Sequence, residues 1–280
     1  MLSSRGLHDS QSLLPRALLG IGYFRLSGYS RYFQVNPAKG GNNFQPGVDF
    51  AKVFDLHQHD AELRNLLLEG LAEIEIALRT ILIAHTCAIG GPGTAYLQAS
   101  SYRESYDKTG ALLRDKLLAD LWADINRSKE AHVVHHRTES PKGIPLWVAV
   151  EALSFGVLSR MFGLLDSEDI RSRIAQRFGY SSPAHFRTNL RSVTVFRNRC
   201  AHHSRVWNSR VRQDVPRMFP KLIDEELVAA NYENTPWGVI AVVADLVGQV
   251  RGDTTFFDAV SRLVPRGGLY WKGLISLSSE

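Results

Sequence analysis

An all-helical fold follows from three features of the sequence. Apolar residues recur at three- and four-residue steps over long stretches, caps and breakers punctuate the ends of those stretches, and alternating strand patterns are scarce. These features predict a helical bundle with additional helices at its C-terminus rather than a sandwich or a strand-helix-strand protein.

Taken in order, residues 11–34 read as short helical pieces broken by Pro15, Gly20, Gly22 and Gly28, with an aromatic cluster of Tyr23, Phe24, Tyr29, Tyr32 and Phe33. Residues 36–47 carry the turn chemistry of a loop. From Asp49 to His85 a long central helix is predicted, because Leu63, Leu67, Leu71, Ile74, Leu78 and Ile81 fall on one face. Gly90-Gly91-Pro92-Gly93 ends it, and a helix from about 109 to 127 follows. After a loop at 138–143, one helix is predicted from Pro145 to Leu164. A shorter one runs from Ser167 to Phe178, with serine as cap and Gly179 as stop. The last long helix of this region opens at Ser182-Pro183 and is predicted to reach Trp207. Residues 210–235 look irregular, and helices return at 237–250 and 253–264. The expected organisation is a helical domain over 1–210 with a helical extension, 211–280, packed on it.

Composition excludes several classes. With 280 residues, 44% hydrophobic and 22% charged, the chain has the make-up of an ordered globular protein. Two distant cysteines, Cys87 and Cys200, form neither a disulfide framework nor a zinc set and fit a reducing cytosol. Residues 1–10 are polar and lack a signal-peptide core, and Asp245 interrupts the apolar stretch 238–250, which reads as a buried helix. A cytoplasmic protein without membrane contact is expected.

Charge is unevenly placed. Between Arg171 and Gln213 stand ten arginines and no Asp, Glu or Lys, whereas the other 23 basic residues face 28 acidic ones. Such localised basicity suits a polyanion, and a surface salt-bridge lattice would need acidic neighbours. Within this stretch lies Arg197-Asn198-Arg199-Cys200-Ala201-His202-His203. An arginine can fork onto phosphate oxygens, an amide can orient a group by hydrogen bonding, and a histidine, with an ordinary pKa of about 6.5, can move a proton near neutrality. At about 100° per residue, Leu190, Val193, Phe196 and Cys200 form an apolar arc, while Arg187, Arg191, Asn198, His202 and Arg205 share a polar one. Arg197 points about 140° away from His202 on an ideal helix.

Facing RNA, this arc could use the substrate's 2′-hydroxyl as nucleophile, with His202 as general base or acid and Arg197 on the charge building at phosphorus. Such cleavage leaves a 2′,3′-cyclic phosphate. One histidine performs half of the proton transfer. His203 is an accessory candidate about 100° round the helix, but a second copy of the motif across a two-fold axis completes the site more simply. Glu151 and Ser154 either orient the catalytic groups or line a helix contact. Arg187, Arg191, Arg199 and Arg205 are the RNA-binding candidates. No metal or cofactor is called for. His57 and His59, two residues apart, read as exposed polar residues. His132, His135 and His136 match no ligand spacing. Arg79, six residues before His85, is accounted for by an ion pair with Glu75.

The blocks IGYFRLSGYSRYF (21–33), FDLHQHDAELRNLLLEGLAEIEIALRT (54–80), IPLWVAVEALSFGVLSRMF (144–162) and FRNRCAHHSRVWN (196–208) resemble the Abi-like proteins of bacterial abortive-infection defence, within the HEPN superfamily. The resemblance covers about Arg5 to Asn208. It implies a HEPN-like bundle and a metal-independent endoribonuclease toxin whose composite site forms in a homodimer. The motif roles fall on Arg197, Asn198 and His202. It also implies restraint by a small non-coding RNA antitoxin. Two alternatives stand beside it: an RNA-binding module without catalysis, and a helical scaffold in a defence complex docking an acidic protein.

Overall fold

The structure, a computed structural model, describes residues 2–87, 93–139, 143–212, 215–219 and 222–277. Among these residues, thirteen α-helices and one two-stranded sheet make up the regular structure beyond short 3-10 turns. The all-helical expectation holds. None of the helices is long and apolar enough to cross a membrane.

The chain divides into two compact units. One comprises Met1–Glu69, Arg197–Ala241 and Thr255–Glu280, and the other Gly70–Phe196 and Val242–Thr254.

In the first unit, α1 (Leu14–Gly20) and α2 (Tyr23–Ser30) are separated at Gly22, whose φ of 90° a residue with a side chain adopts poorly. Pro15 opens α1 instead of breaking it, since the first turn needs no N–H from proline. Gly28 lies inside α2, where a Cβ would come within 3.3 Å of the Arg205 guanidinium. The aromatic cluster divides: Tyr29 and Phe33 are buried, whereas Tyr23 and Phe24 are exposed. An antiparallel hairpin of β1 (Gln34–Asn36) and β2 (Gly41–Phe44) starts just before the predicted loop at 36–47 and runs into it, pairing Gln34 with Phe44 and Asn36 with Gly41.

The central helix α3 spans Phe50–Cys87. Its predicted stripe is right from Leu63 to Leu78, all five of those positions being fully buried, but it closes on Leu82, with Ile81 half-buried. Gly90-Gly91-Pro92 and residues 140–142 of the predicted loops lie outside the described residues.

In the second unit, α4 (Leu113–Arg127) starts later than predicted and is followed by α5 (Ala131–Glu139), which carries the His132 cluster. One helix is predicted from 145 to 164, but two form, α6 (Leu146–Ala152) and α7 (Phe155–Leu164). Leu153 and Ser154 between them are extended, with ψ of 132° and 153°. Partners distant in sequence take up the backbone groups freed there. Arg79 Nε donates to the Val150 carbonyl at 3.0 Å and Nη2 to that of Leu153 at 3.1 Å, while Asp124 Oδ2 accepts the Ser154 N–H at 2.9 Å. Next come α8 (Glu168–Arg177), capped by Ser167 Oγ on the Ile170 N–H, and α9 (Pro183–Ala201), where Ser182 Oγ accepts the His185 N–H. Phe186 of α9 packs its ring against those of Phe178, stacked at 4.8 Å, Phe162, edge-on at 5.0 Å, and Tyr180, tilted at 5.1 Å.

After residue 210, α10 (Glu225–Ala229) interrupts the stretch predicted to be irregular, capped by Asp224. The apolar helix α11 (Pro236–Arg251) and α12 (Thr255–Leu263) follow the prediction, and α13 (Leu269–Ile275), seven residues long, is additional.

Candidate functional site

The motif sits where α9 ends. The sequence predicts a helix continuing to Trp207, but the last turn closes at Ala201. The His203 N–H donates to the Cys200 carbonyl at 3.0 Å and the Ser204 N–H to that of Arg199 at 2.9 Å. That pair of bonds is the Schellman ending, which needs a left-handed residue and normally takes glycine. Here His203 fills it, with φ of 54°. Arg25 Nη1 secures the His203 carbonyl at 2.8 Å. His203 is therefore set by backbone geometry, and its imidazole is exposed.

His202 is the last residue held by the helix, its N–H on the Asn198 carbonyl at 2.9 Å, and its side chain is exposed. Asn198, one turn earlier, is exposed as well. Arg197 is not left pointing away. Its Nη1 donates to Asn198 Oδ1 at 3.3 Å, so the guanidinium bends round the helix onto the amide that precedes His202 by four residues. Beneath them Phe196 and Cys200 are buried, and burial pushes the Cys200 thiol up to about 12.

The four arginines predicted to hold RNA have different surroundings. Arg199 is half-buried, donating from Nη2 to the Arg205 carbonyl at 3.0 Å and from Nη1 to that of Arg210 at 3.4 Å, and burial lowers its pKa. Arg205 lies beyond the helix, so the wheel that groups it with His202 does not apply; its guanidinium reaches the Gly28 carbonyl. It also lines a cavity of about 410 Å³ with Arg31, Tyr32, Gln34, Gln45 and Asn208. Arg191 is exposed on α9, and Arg187, half-buried, lines a smaller cavity in the second unit. At the start of the arginine stretch, Arg171 and Arg173 pair with Glu168 and Asp169, which stand just outside it. Salt bridging thus accounts for Arg173 and anchors Arg171 in place.

Asp60, which sequence reasoning passes over, organises the chain on leaving the motif. Fully buried on α3, it accepts the Tyr29 hydroxyl at 2.5 Å, the Val206 N–H at 3.1 Å and an Arg64 guanidinium through Oδ2. Through Oδ1 it accepts the Trp207 N–H at 2.8 Å and the Tyr270 hydroxyl at 3.1 Å. Five donors on one carboxylate pin residues 206–207 directly after the motif. Tyr29, Trp207 and Tyr270 stack around it, with centroids 6.3 and 6.5 Å apart. Helix α13 completes this arrangement: the Tyr270 carbonyl accepts Trp207 Nε1 at 3.0 Å and the Gly273 carbonyl the Asn208 N–H at 2.7 Å. A signal for Asp60 was present, since it falls on the buried stripe of α3 between Leu56 and Leu63, with Arg64 one turn on.

Glu151 and Ser154 are exposed at the break between α6 and α7, in the second unit. His57, predicted to be exposed, is 9% exposed because it faces inward against the Tyr29 ring at 5.6 Å; burial lowers its pKa. His59 is exposed, its ring 5.5 Å from that of Tyr270. His135 Nδ1 lies 3.2 Å from Glu139, and among the described residues no group of three or more metal-ligating side chains converges. Arg79 does pair with Glu75, at 2.7 Å, besides capping α6.

No curated protein and no solved structure matches the chain significantly. The profile of the Abi-like protein family matches residues 16–208, a span that holds α2, α3, α9, the motif and the loop secured by Asp60. Since that match covers more than half of the chain, the protein belongs to the Abi-like family.

Proposed function

We propose that this protein is a metal-independent endoribonuclease toxin of abortive infection and phage defence, of the HEPN type. The observation that carries this reading is the exposed cluster at the end of α9, where the Arg197 guanidinium meets the Asn198 amide one turn before His202. Membership of the Abi-like family supports the biological setting.

In the reaction, His202 takes the proton of a ribose 2′-hydroxyl as its oxygen attacks the adjacent phosphorus. The bond from phosphorus to the 5′-oxygen breaks, and that oxygen takes a proton from a second imidazole. Arg197 and Asn198 bind the non-bridging oxygens, where charge increases. The products are a 2′,3′-cyclic phosphate and a 5′-hydroxyl. The second imidazole belongs to His202 of another copy, so the active species is a homodimer. Before activation, a small non-coding RNA occupies the basic surface.

Cleavage of total RNA in EDTA tests the proposal, comparing the purified protein with His202→Ala. The wild type is expected to produce cyclic-phosphate ends and the variant at least about a hundredfold less, the scale of losing a general acid-base group. Equal cleavage by the two, or none by the wild type even after phage challenge, would overturn it.

A further inference from the structure

A second basic site lies in the unit of Gly70–Phe196; it contains none of Arg197, Asn198 and His202 and shares only Arg187 with the RNA-binding candidates. A cavity of about 100 Å³ opens at the start of α9, lined by Arg103, Arg171 and Arg187 from three different segments, together with Gly163, Glu168 and Ala184. Gly163 makes the approach of Arg187 feasible, since a Cβ there would lie 3.2 Å from the arginine Cδ.

Two of the guanidiniums are anchored. Arg103 Nη2 donates to the Gly163 carbonyl at 2.6 Å, and Arg171, only 9% exposed, donates to the Leu165 carbonyl at 2.7 Å and to Glu168. Held in this way, they cannot swing apart into solvent. Arg103 Nε is buried without a hydrogen-bond partner, a costly state for a charged donor. Burial lowers the pKa of Arg103, and the charges of Arg171 and Arg187 lower it further, so the three repel one another across the cavity. A bound anion would remove that repulsion and supply acceptors.

We propose that this cavity binds a phosphate dianion through Arg103, Arg171 and Arg187 at the N-terminus of α9. Among the lining residues, three positive charges and one carboxylate, Glu168, leave a formal +2, with Asp166, outside the lining, also acting on Arg103. That balance matches inorganic phosphate or a phosphate monoester, about −1.5 to −2 at neutral pH, better than the single charge of a phosphodiester. The volume holds one phosphoryl group, and any nucleoside attached to it remains outside. This inference does not depend on the ribonuclease reading.

Calorimetric titration of the full chain at constant ionic strength tests it, with inorganic phosphate, AMP and dimethyl phosphate as probes. Phosphate is expected to bind saturably with a dissociation constant on the order of 1 mM. Dimethyl phosphate should bind at least about tenfold more weakly, and Arg187→Gln should lose about tenfold in phosphate affinity. AMP binding alongside phosphate assigns the site to nucleotide or terminal RNA phosphates, and phosphate binding alone assigns it to the free ion; both support the site. Glu168→Gln, a change at an exposed side chain, should tighten phosphate binding, and it decides the matter if Arg187→Gln does not fold. His202→Ala should bind phosphate as the wild type does, which separates this site from the motif. Absence of saturable phosphate binding, equal affinity for dimethyl phosphate, or indifference to both the Arg187 and Glu168 changes would overturn the proposal.

Discussion

At the residue scale, the end of α9 carries a conformational cost in the middle of the motif. A side-chain-bearing residue in the left-handed region is disfavoured by about 1–2 kcal/mol, and His203 occupies it with φ of 54°. His203→Gly is therefore predicted to stabilise the protein by about 1 kcal/mol in urea denaturation, because glycine adopts this geometry freely. Since the backbone alone accounts for position 203, the same variant should retain ribonuclease activity. A loss of cleavage comparable to that of His202→Ala would instead make the His203 imidazole part of the chemistry. The identity of the motif residues was legible in the sequence, but the bend of Arg197 onto Asn198 was not. An ideal wheel fixes where a Cβ points and leaves four side-chain torsions unspecified.

At the element scale, what the sequence conveyed was periodicity. The buried stripe of α3 and the apolar arc of α9 were legible because each depends on residues three or four apart in one segment. The break between α6 and α7 was not, because the groups that stabilise it come from Arg79 and Asp124, far from Leu153 in the chain. Replacing Arg79 with Ala removes the ion pair to Glu75, itself 6% exposed, and strips two carbonyls of a donor. The expected loss is about 3 kcal/mol, read as a lowered denaturation midpoint. A change below about 0.5 kcal/mol would mean that the break is held by local preference alone. Similarly, the polar wheel arc overreached at Arg205, since the helix stops before it, and α13 was missed because seven residues offer too little periodicity to register.

At the scale of the whole molecule, the fold class was plain from the sequence, whereas the contacts that secure the motif come from segments remote from it. Ionisation behaviour is also a property of the whole chain. Burial is the leading cause that raises the pKa of Tyr29, Tyr96, Tyr102, Tyr180 and Tyr270 above the ordinary value. In the unfolded chain these phenols ionise near pH 10, while in the folded protein they remain protonated beyond it. Their contribution to stability is fully present below pH 10 and is lost as the pH rises through the folded values. Thermal melting should accordingly show a steep fall in Tm above pH 10, with the full phenolate absorbance at 295 nm reached only as the protein unfolds. Phenolate absorbance developing fully in the still-folded protein near pH 10 would contradict the burial of these side chains.

The five donors converging on Asp60 have a genetic consequence. On the proposed function, a selection for cells that survive expression of this toxin would recover changes at Asp60 as readily as at His202, although the carboxylate never meets RNA. The two classes of survivor would part on protein yield. Chains altered at His202 should accumulate to full level, and those altered at Asp60 should be lost to proteolysis, because the segment leaving the motif has come loose from its anchor.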